Sequence, residues 1–218
     1  MALQARYRNQ AALILAGLLA ACASGPQAPD WKSNAHAALA NYEAAWLRGD
    51  ERTAKAEFAS ARAEVSRTGR PELVARVELV RCALEVASLD FGPCPGYRAL
   101  ERDADPAERA YAAYLSGRRD GIDPGLLAPP HRAALSGGSD ALASIDDPLA
   151  RLVAAGVLMR AGRMTPQGIR AAIEAASAKG WRRPLIAWLR LEQRRAGAAG
   201  DTRAAARIGR RIDTIVNP

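Results

Sequence analysis

The stretch that decides the fold is residues 35–65, AHAALANYEAAWLRGDERTAKAEFASARAEV. It carries two apolar stripes at helical spacing: Ala35, Leu39, Tyr42 and Trp46 in the first half, and Ala54, Phe58, Ala61 and Val65 in the second. Between the stripes, Gly49 can take the left-handed conformation that ends a helix, and Asp50 can accept hydrogen bonds from the first amides of the next helix. The stretch therefore predicts two helices joined by a tight turn.

The composition of the whole chain favours the same class of structure. Aromatic residues make up only 5% of the chain, alanine is abundant and β-branched residues are sparse, which favours closely packed helices over sheets. A glycine-containing turn between helical segments recurs at residues 160–163 and 199–201. Helix pairs that cannot bury their own apolar faces stack on one another. We therefore predict an all-α fold of antiparallel helix pairs, arranged either as a small α-solenoid or as an irregular helical bundle.

The first helix pair resembles part of a known repeat. The second half of a tetratricopeptide repeat is matched by Gly49, Ala54, Phe58 and Ala61. In that family a glycine-type turn precedes small, aromatic and small positions where paired helices pack closely. The first half departs from the family pattern, because Tyr42 stands where the family usually has Gly or Ala, and Ser66 replaces the common terminal proline. The resemblance implies a tetratricopeptide-like solenoid whose concave surface holds a peptide or a helix.

Proline and glycine divide the chain into blocks. Residues 34–117 read as an N-terminal helical block, residues 118–147 as an irregular connection, and residues 148–217 as a C-terminal helical block. In the first block, Pro71 opens a helix with apolar side chains on two faces, which predicts that this helix is central and buried on both sides. In the last block, Trp181 and Trp188 are expected to anchor the core.

The N-terminal segment has the three parts of a bacterial secretion signal. Arg6 and Arg8 precede an uncharged, mostly apolar run over residues 11–21, which ends in small residues. This run is shorter than the roughly 20 residues that a membrane-spanning helix needs. We therefore expect residues 1–21 to be removed rather than to remain as a transmembrane anchor.

The end of this signal, Leu19-Ala20-Ala21-Cys22, resembles the lipobox of bacterial lipoproteins. That family implies cleavage before Cys22, diacylation of its thiol with groups such as palmitate, and acylation of the new amino terminus. Residues 22–33 would then form a flexible tether between the lipid and the helical domain. By resemblance to enterobacterial sorting, Ala23 in place of Asp favours the periplasmic face of the outer membrane. The alternative is an ordinary secretory signal with a chance cysteine at the cleavage point.

The two remaining cysteines are predicted to form a disulfide. Cys82 lies in the third helix and Cys94 in the Phe91–Pro95 break that follows it. From Cys82 to Asp90 a helix rises about 12 Å, and four extended residues can return about 13 Å. An oxidising periplasm, with Cys22 consumed by lipid, makes this pairing the natural one. A catalytic dithiol usually has Cys-x-x-Cys spacing, so we predict a structural bond.

The excess positive charge is concentrated at the C-terminal end. Removal of residues 1–21 takes away two arginines and no acid, which lowers the net charge from +8 to +6. Residues 181–218 carry all of that excess, with nine arginines against three acidic residues. The arginines at helical spacing are Arg190 and Arg194, followed by Arg203, Arg207, Arg210 and Arg211. We predict that they dock an anionic partner, such as phospholipid, lipopolysaccharide, peptidoglycan carboxylates or an acidic protein. The alternative is the solvated outer face of a terminal helix.

The sequence contains no recognisable catalytic or metal-binding motif. The two histidines, His36 and His131, do not stand in a zinc-ligand pattern, and Cys-x-x-Cys, Gly-x-Ser-x-Gly and phosphate-loop patterns are missing from the chain. We therefore predict no catalytic residue, no metal ligand and no cofactor. A pocket that combines His131 with nearby carboxylates would favour an enzyme.

Together these observations predict a lipid-anchored, periplasm-facing protein that binds or scaffolds another component of the cell envelope and is not an enzyme. One alternative is a cell-wall or lipid-acting envelope enzyme with an unrecognised site. Another is electrostatic attachment to peptidoglycan or lipopolysaccharide. The expected partners are the membrane, through the N-terminal lipid, and an envelope protein. Nucleic acid is not expected in this compartment.

Overall fold

The computed structural model describes residues 29–217. Within them the α-helices are α1 (Asp30–Arg48), α2 (Glu51–Ser66), α3 (Pro71–Ala87), α4 (Pro95–Arg98), α5 (Pro106–Leu115), α6 (Pro129–Gly137), α7 (Pro148–Arg160), α8 (Pro166–Ala178), α9 (Arg182–Ala198) and α10 (Thr202–Val216). Short 3-10 helices lie at Glu101–Asp103, Pro124–Leu126 and Gly138–Ser144. The described residues contain no strand, so the predicted all-α fold is confirmed. The predicted signal peptide and Cys22 lie outside the described residues.

The helix pair predicted from residues 35–65 is formed by α1 and α2. Gly49 ends α1 with a φ of 83°, in the left-handed region. The Asp50 carboxylate accepts a hydrogen bond from the Thr53 amide at 3.0 Å and so caps α2. Across the pair, the ring centroids of Tyr42 and Phe58 are 5.1 Å apart. The predicted apolar stripes therefore face each other, as the periodicity indicated.

The centre of the molecule is the crossing of α3 and α7. Ten side chains of α3 are buried, and seven consecutive residues of α7, 152–158, are buried as well. A Cβ added at Gly156 would overlap the Val86 carbonyl oxygen and lie 2.8 Å from the Val86 carbonyl carbon. The fully buried Trp188 of α9 donates its indole N–H to the Ala87 carbonyl at 3.0 Å. The prediction that the third helix is central is confirmed.

Contacts between helices that are distant in sequence join the two blocks. Helix α3 packs on α7, and α1 packs on α9. At the second contact, Arg183 donates from Nε to the Trp46 carbonyl at 2.8 Å and from Nη2 to Glu51 at 2.6 Å. Its guanidinium also lies 4.1 Å from the centroid of the Trp46 ring. In a solenoid each repeat contacts only its neighbours, so these contacts go beyond nearest-neighbour stacking within an all-α arrangement of helix pairs.

Two boundaries differ from the sequence prediction. The expected tether, residues 22–33, overlaps α1, which already begins at Asp30. Residues 118–147, expected to be irregular, contain α6 and two of the 3-10 helices. Helix α6 packs on α7, and the 3-10 helix Gly138–Ser144 packs on α7 and α8. A proline explains the second difference, because Pro129 opens a helix instead of breaking one. A first-turn amide has no partner within the helix, so proline loses nothing there.

The predicted disulfide between Cys82 and Cys94 is present, with the two Cα atoms 5.9 Å apart. It joins the last turns of α3 to the residue that precedes α4. In the chain-entropy account, a loop of this length stabilises the folded state by about 3 kcal/mol. No helix within residues 29–217 has both the length and the hydrophobicity that a membrane span requires.

Candidate functional site

The terminal helix α10 presents four of the predicted docking arginines on one exposed face. That face carries Arg203, Arg207, Arg210 and Arg211. They extend over about 12 Å of helix axis at 1.5 Å per residue. The inner face carries Ile208, Ile212 and Ile215, which belong to the main core or pack against it. The separation of the two faces is what turns the guanidinium groups towards solvent.

The predicted docking arginines have no carboxylate partner in the part of the chain that the structure describes. Among the described residues, none of the six guanidinium groups lies within 4.0 Å of a carboxylate oxygen. Two other arginines of α9 do form such ion pairs. Arg183 contacts Glu51 at 2.6 Å, and Arg195 contacts Glu192 at 2.6 Å. The guanidinium groups of α10 therefore keep their hydrogen-bond donors for water or for an external anion.

The structure divides the six arginines into two groups. Arg190 lies in a groove with Trp46 and Glu51, where α9 meets the turn between α1 and α2. Arg194 follows one turn later on the same side of α9. Arg211 lies instead in a groove formed by α8, α9 and α10. The six arginines therefore lie on two helices, four on the exposed face of α10 and a pair on α9.

The groove beside the α10 face has an apolar floor and charged edges. Its volume is about 540 Å³. The floor is formed by Ile173, Leu189 and Ile208, and the edges by Arg170, Arg211, Glu174 and Glu192. Sequence reasoning missed Arg170, because it lies on α8 and only the packing of α8 against α9 brings it near Arg211. No spacing within the sequence could have indicated this neighbour.

His131 is a buried residue of α6 rather than a surface histidine. It is 8% exposed, and its ring centroid lies 5.2 Å from that of Tyr111 and 5.1 Å from that of Tyr114. Burial lowers the pKa of the imidazole to about 4, although the Asp147 carboxylate acts in the opposite direction. The imidazole is therefore neutral at neutral pH. Its Nδ1 has no hydrogen-bond partner among the described residues.

A cavity of about 260 Å³ brings His131 together with the buried carboxylate of Glu108 and with Arg76. Glu108 Oε1 accepts a hydrogen bond from Arg76 Nε at 2.7 Å. Its other oxygen, Oε2, is buried without a partner among the described residues. The histidine and a carboxylate thus share one cavity, but the carboxylate is held in an ion pair that ties α3 to α5.

The second buried carboxylate of the described chain belongs to a structural ion pair. Glu78 on α3 contacts Arg62 Nε and Arg81 Nη2, each at 2.9 Å. The same carboxylate lies against Gly96, where an added Cβ would overlap it. Glu78 therefore joins α2, α3 and α4 and does not line a site. Within residues 29–217, no group of three or more His, Cys, Asp and Glu side chains is arranged to hold a metal ion.

Comparisons of the chain with protein-family models, with curated proteins and with solved structures gave no match. The class of the protein is therefore the one that its own fold defines. It is an all-α protein of paired helices with a disulfide beside its central helix and an arginine face on its last helix.

Proposed function

We propose that this protein is a lipid-anchored, periplasm-facing component of a bacterial envelope that binds or scaffolds another envelope component and does not itself catalyse a reaction. The binding role rests on the α10 face formed by Arg203, Arg207, Arg210 and Arg211, which lacks carboxylate partners among the described residues. The anchor and the outer-membrane location rest on the lipobox-like residues 19–22 and on Ala23.

The chemistry of the α10 face favours an anionic partner. Exposed guanidinium groups of one sign raise the local concentration of anions and speed association with an acidic surface. Arginine also offers a planar fork of donors that matches carboxylates and phosphates. The adjacent groove, with Ile173 and Leu189 on its floor, provides apolar contact for a peptide or a helix of the same partner.

The experiment is in-cell crosslinking of the full chain, followed by mass spectrometry of the captured material. The test variant replaces Arg203, Arg207, Arg210 and Arg211 by glutamine. A matched control replaces four exposed arginines elsewhere, namely Arg48, Arg52, Arg102 and Arg119. We expect one dominant envelope protein with the wild type and with the control, and its loss with the test variant. Equal capture by both variants would exclude the role given to α10.

The anchor is tested separately. Cells fed labelled palmitate should label the wild-type chain, and a Cys22→Ser variant should carry no label and leave the membrane fraction. A labelled variant, or an unlabelled wild type, would exclude the lipid anchor and leave the binding role of α10 untouched.

Electrostatic attachment to peptidoglycan or lipopolysaccharide is the first alternative, and the same arginine face favours it. It predicts co-sedimentation of the protein with those polymers that falls steeply as salt screens the charges. Binding that survives high salt would favour a specific protein partner instead.

An envelope enzyme is the second alternative, and the cavity shared by His131 and Glu108 is the observation that favours it. A neutral imidazole could act as a base, but the ion pair of Glu108 with Arg76 opposes a paired role for the carboxylate. Turnover of a wall or lipid substrate that is lost in His131→Phe would support the enzyme. Turnover that is unchanged by that substitution would exclude this cavity as its site.

A further inference from the structure

A second candidate site lies beside the disulfide, between α3, the segment that follows it, α5 and the end of α7. It is a cavity of about 450 Å³ with an apolar floor that includes Leu79, Val86 and Leu115. The disulfide of Cys82 and Cys94 forms part of its wall. This volume lies in the range of about 300–1,000 Å³ that is usual for small-ligand sites. The site is independent of both the anchor and the α10 face.

Three arginines from three different elements line this cavity. Arg98 ends α4, Arg118 follows α5, and Arg160 ends α7. In the described chain none of them lies within 4.0 Å of a carboxylate oxygen. Arg160 is held in place, since its Nη1 donates to the Leu115 carbonyl at 3.4 Å and its guanidinium lies 5.8 Å from the centroid of the Phe91 ring. The cavity therefore gathers three guanidinium groups that have no direct carboxylate partner among the described residues.

Three carboxylates line the same cavity without pairing with these arginines. Glu85 lies 3.9 Å from Arg81 on its own helix, and Asp90 accepts a hydrogen bond from the Gly92 amide at 3.3 Å. Glu101 has no ion-pair partner among the described residues and lies in the 3-10 helix after α4. Both signs of charge are thus available to a ligand around one apolar floor.

One residue of the lining carries a buried polar group without a partner. Tyr97 lines it and is 3% exposed, and its hydroxyl has no hydrogen-bond partner among the described residues. A buried hydroxyl without a hydrogen bond destabilises the folded state unless a ligand or a water molecule supplies the partner. This hydroxyl belongs to the lining residue Tyr97 and is independent of the charged side chains.

We propose that this cavity binds a short zwitterionic peptide with an apolar side chain. The apolar side chain would occupy the floor at Leu79, Val86 and Leu115. The free carboxylate would be bound by the lining arginines, and the free ammonium by the lining carboxylates. A ligand with one sign of charge would pair with only one of these two sets of side chains, and an uncharged apolar ligand would pair with neither.

Calorimetric titration of the full chain with three forms of one tripeptide tests the ligand class. The forms are alanyl-leucyl-alanine with free termini, its N-acetylated form and its C-amidated form. We expect saturable binding of the free peptide, with each capped form bound about fivefold more weakly, the upper range for a partly exposed ion pair. The proposal is overturned if the acetylated or the amidated form binds as tightly as the free peptide, or if none of the three binds saturably.

Charge-removing variants test the site. Arg118→Gln and Glu101→Gln each remove one lining charge, and Arg119→Gln and Asp103→Asn are matched controls because they are exposed neighbours outside the lining. All four positions are exposed, so the folded state should be retained.

We expect Arg118→Gln to weaken the binding of the free and acetylated peptides but not that of the amidated peptide. Glu101→Gln should weaken the binding of the free and amidated peptides but not that of the acetylated peptide. The controls should bind as the wild type does. Equal effects in lining variants and controls would exclude this cavity as the binding site.

Discussion

Replacing Gly156 by alanine tests the close crossing of α3 and α7 at the centre of the molecule. Gly156 lies in the middle of α7 with no Cβ between its backbone and Val86 of α3. An added Cβ would overlap the Val86 carbonyl oxygen and lie 2.8 Å from both the carbonyl carbon and Cγ1 of Val86. The obstacle is backbone of the central helix, which also accepts the Leu89 amide at 3.0 Å. The two helices must therefore move apart.

Two opposing terms set the size of the effect. Alanine in a helix interior is more favourable than glycine by about 1 kcal/mol. Insertion of a methyl group into a packed core costs about 1–3 kcal/mol and occasionally more. The upper end applies at Gly156, because backbone cannot rotate away as a side chain can. We therefore expect a net loss of about 1–2 kcal/mol in the free energy of unfolding, which lowers Tm by roughly 2–8 °C for a domain of this size.

The matched control is Gly197→Ala in α9. Gly197 is exposed, and a Cβ there would meet no atom within 4 Å. Only the helix-propensity gain remains, so the control should be as stable as the wild type or more stable by up to about 1 kcal/mol. The assay is urea denaturation followed by circular dichroism, with the m-value compared to confirm that the transition is unchanged. A Gly156→Ala variant as stable as the Gly197→Ala variant would refute the close crossing.

Three further predictions follow from the contacts described above. Reduction of the Cys82–Cys94 disulfide, in a Cys22→Ser background, should lower the free energy of unfolding by about 3 kcal/mol; an unchanged urea midpoint would show that the bond does not constrain the unfolded chain. His131 has a pKa of about 4 in the folded protein, against a reference value of 6.5. The unfolded chain therefore binds a proton more readily, and the contribution of His131 to stability is lost as the pH falls from 6.5 towards 4, by up to about 3 kcal/mol. Measured against His131→Phe at each pH, that slope should disappear from the variant, and equal slopes would contradict a buried neutral imidazole. Arg183→Lys keeps the charge at the start of α9 but loses the forked donors, and should lower the free energy of unfolding by about 1–2 kcal/mol in urea denaturation. Salt screens charge attraction but does not replace the lost donors, so this loss of stability should appear at low and at high salt. A loss seen only in high-salt buffer would contradict this reason.

Much of the local structure could be predicted from the sequence, because its causes act within a few residues. The turn at Gly49 and Asp50 was correctly predicted, since a left-handed glycine and a side-chain cap depend on neighbouring atoms only. The disulfide pairing was predicted from the number of free cysteines and the length of chain between them. The prolines of residues 118–147 misled the prediction of an irregular connection, because Pro129 opens α6 rather than ending a helix.

The candidate sites were less predictable. The arginine spacing on α10 correctly predicted an exposed face, because one helix holds all four side chains. The placing of Arg190 in a separate groove depends on how α9 meets the α1–α2 turn. The contact of His131 with Tyr111 and Tyr114 depends on the packing of α6 on α5, which no periodicity in the sequence encodes.

The amino-acid sequence by itself determined the helical class, the first helix pair, the central position of the third helix, and the concentration of arginine at the C-terminal end. Each of these depends on periodicity, capping or composition along a short length of chain. Only the tertiary structure decided that α3 crosses α7 at Gly156, that Arg183 joins α9 to α1, and that opposite charges surround one apolar cavity beside the disulfide. Such contacts are set by the shapes of helix faces that are far apart in the chain, and a repeating pattern says which face is buried but not which helix covers it.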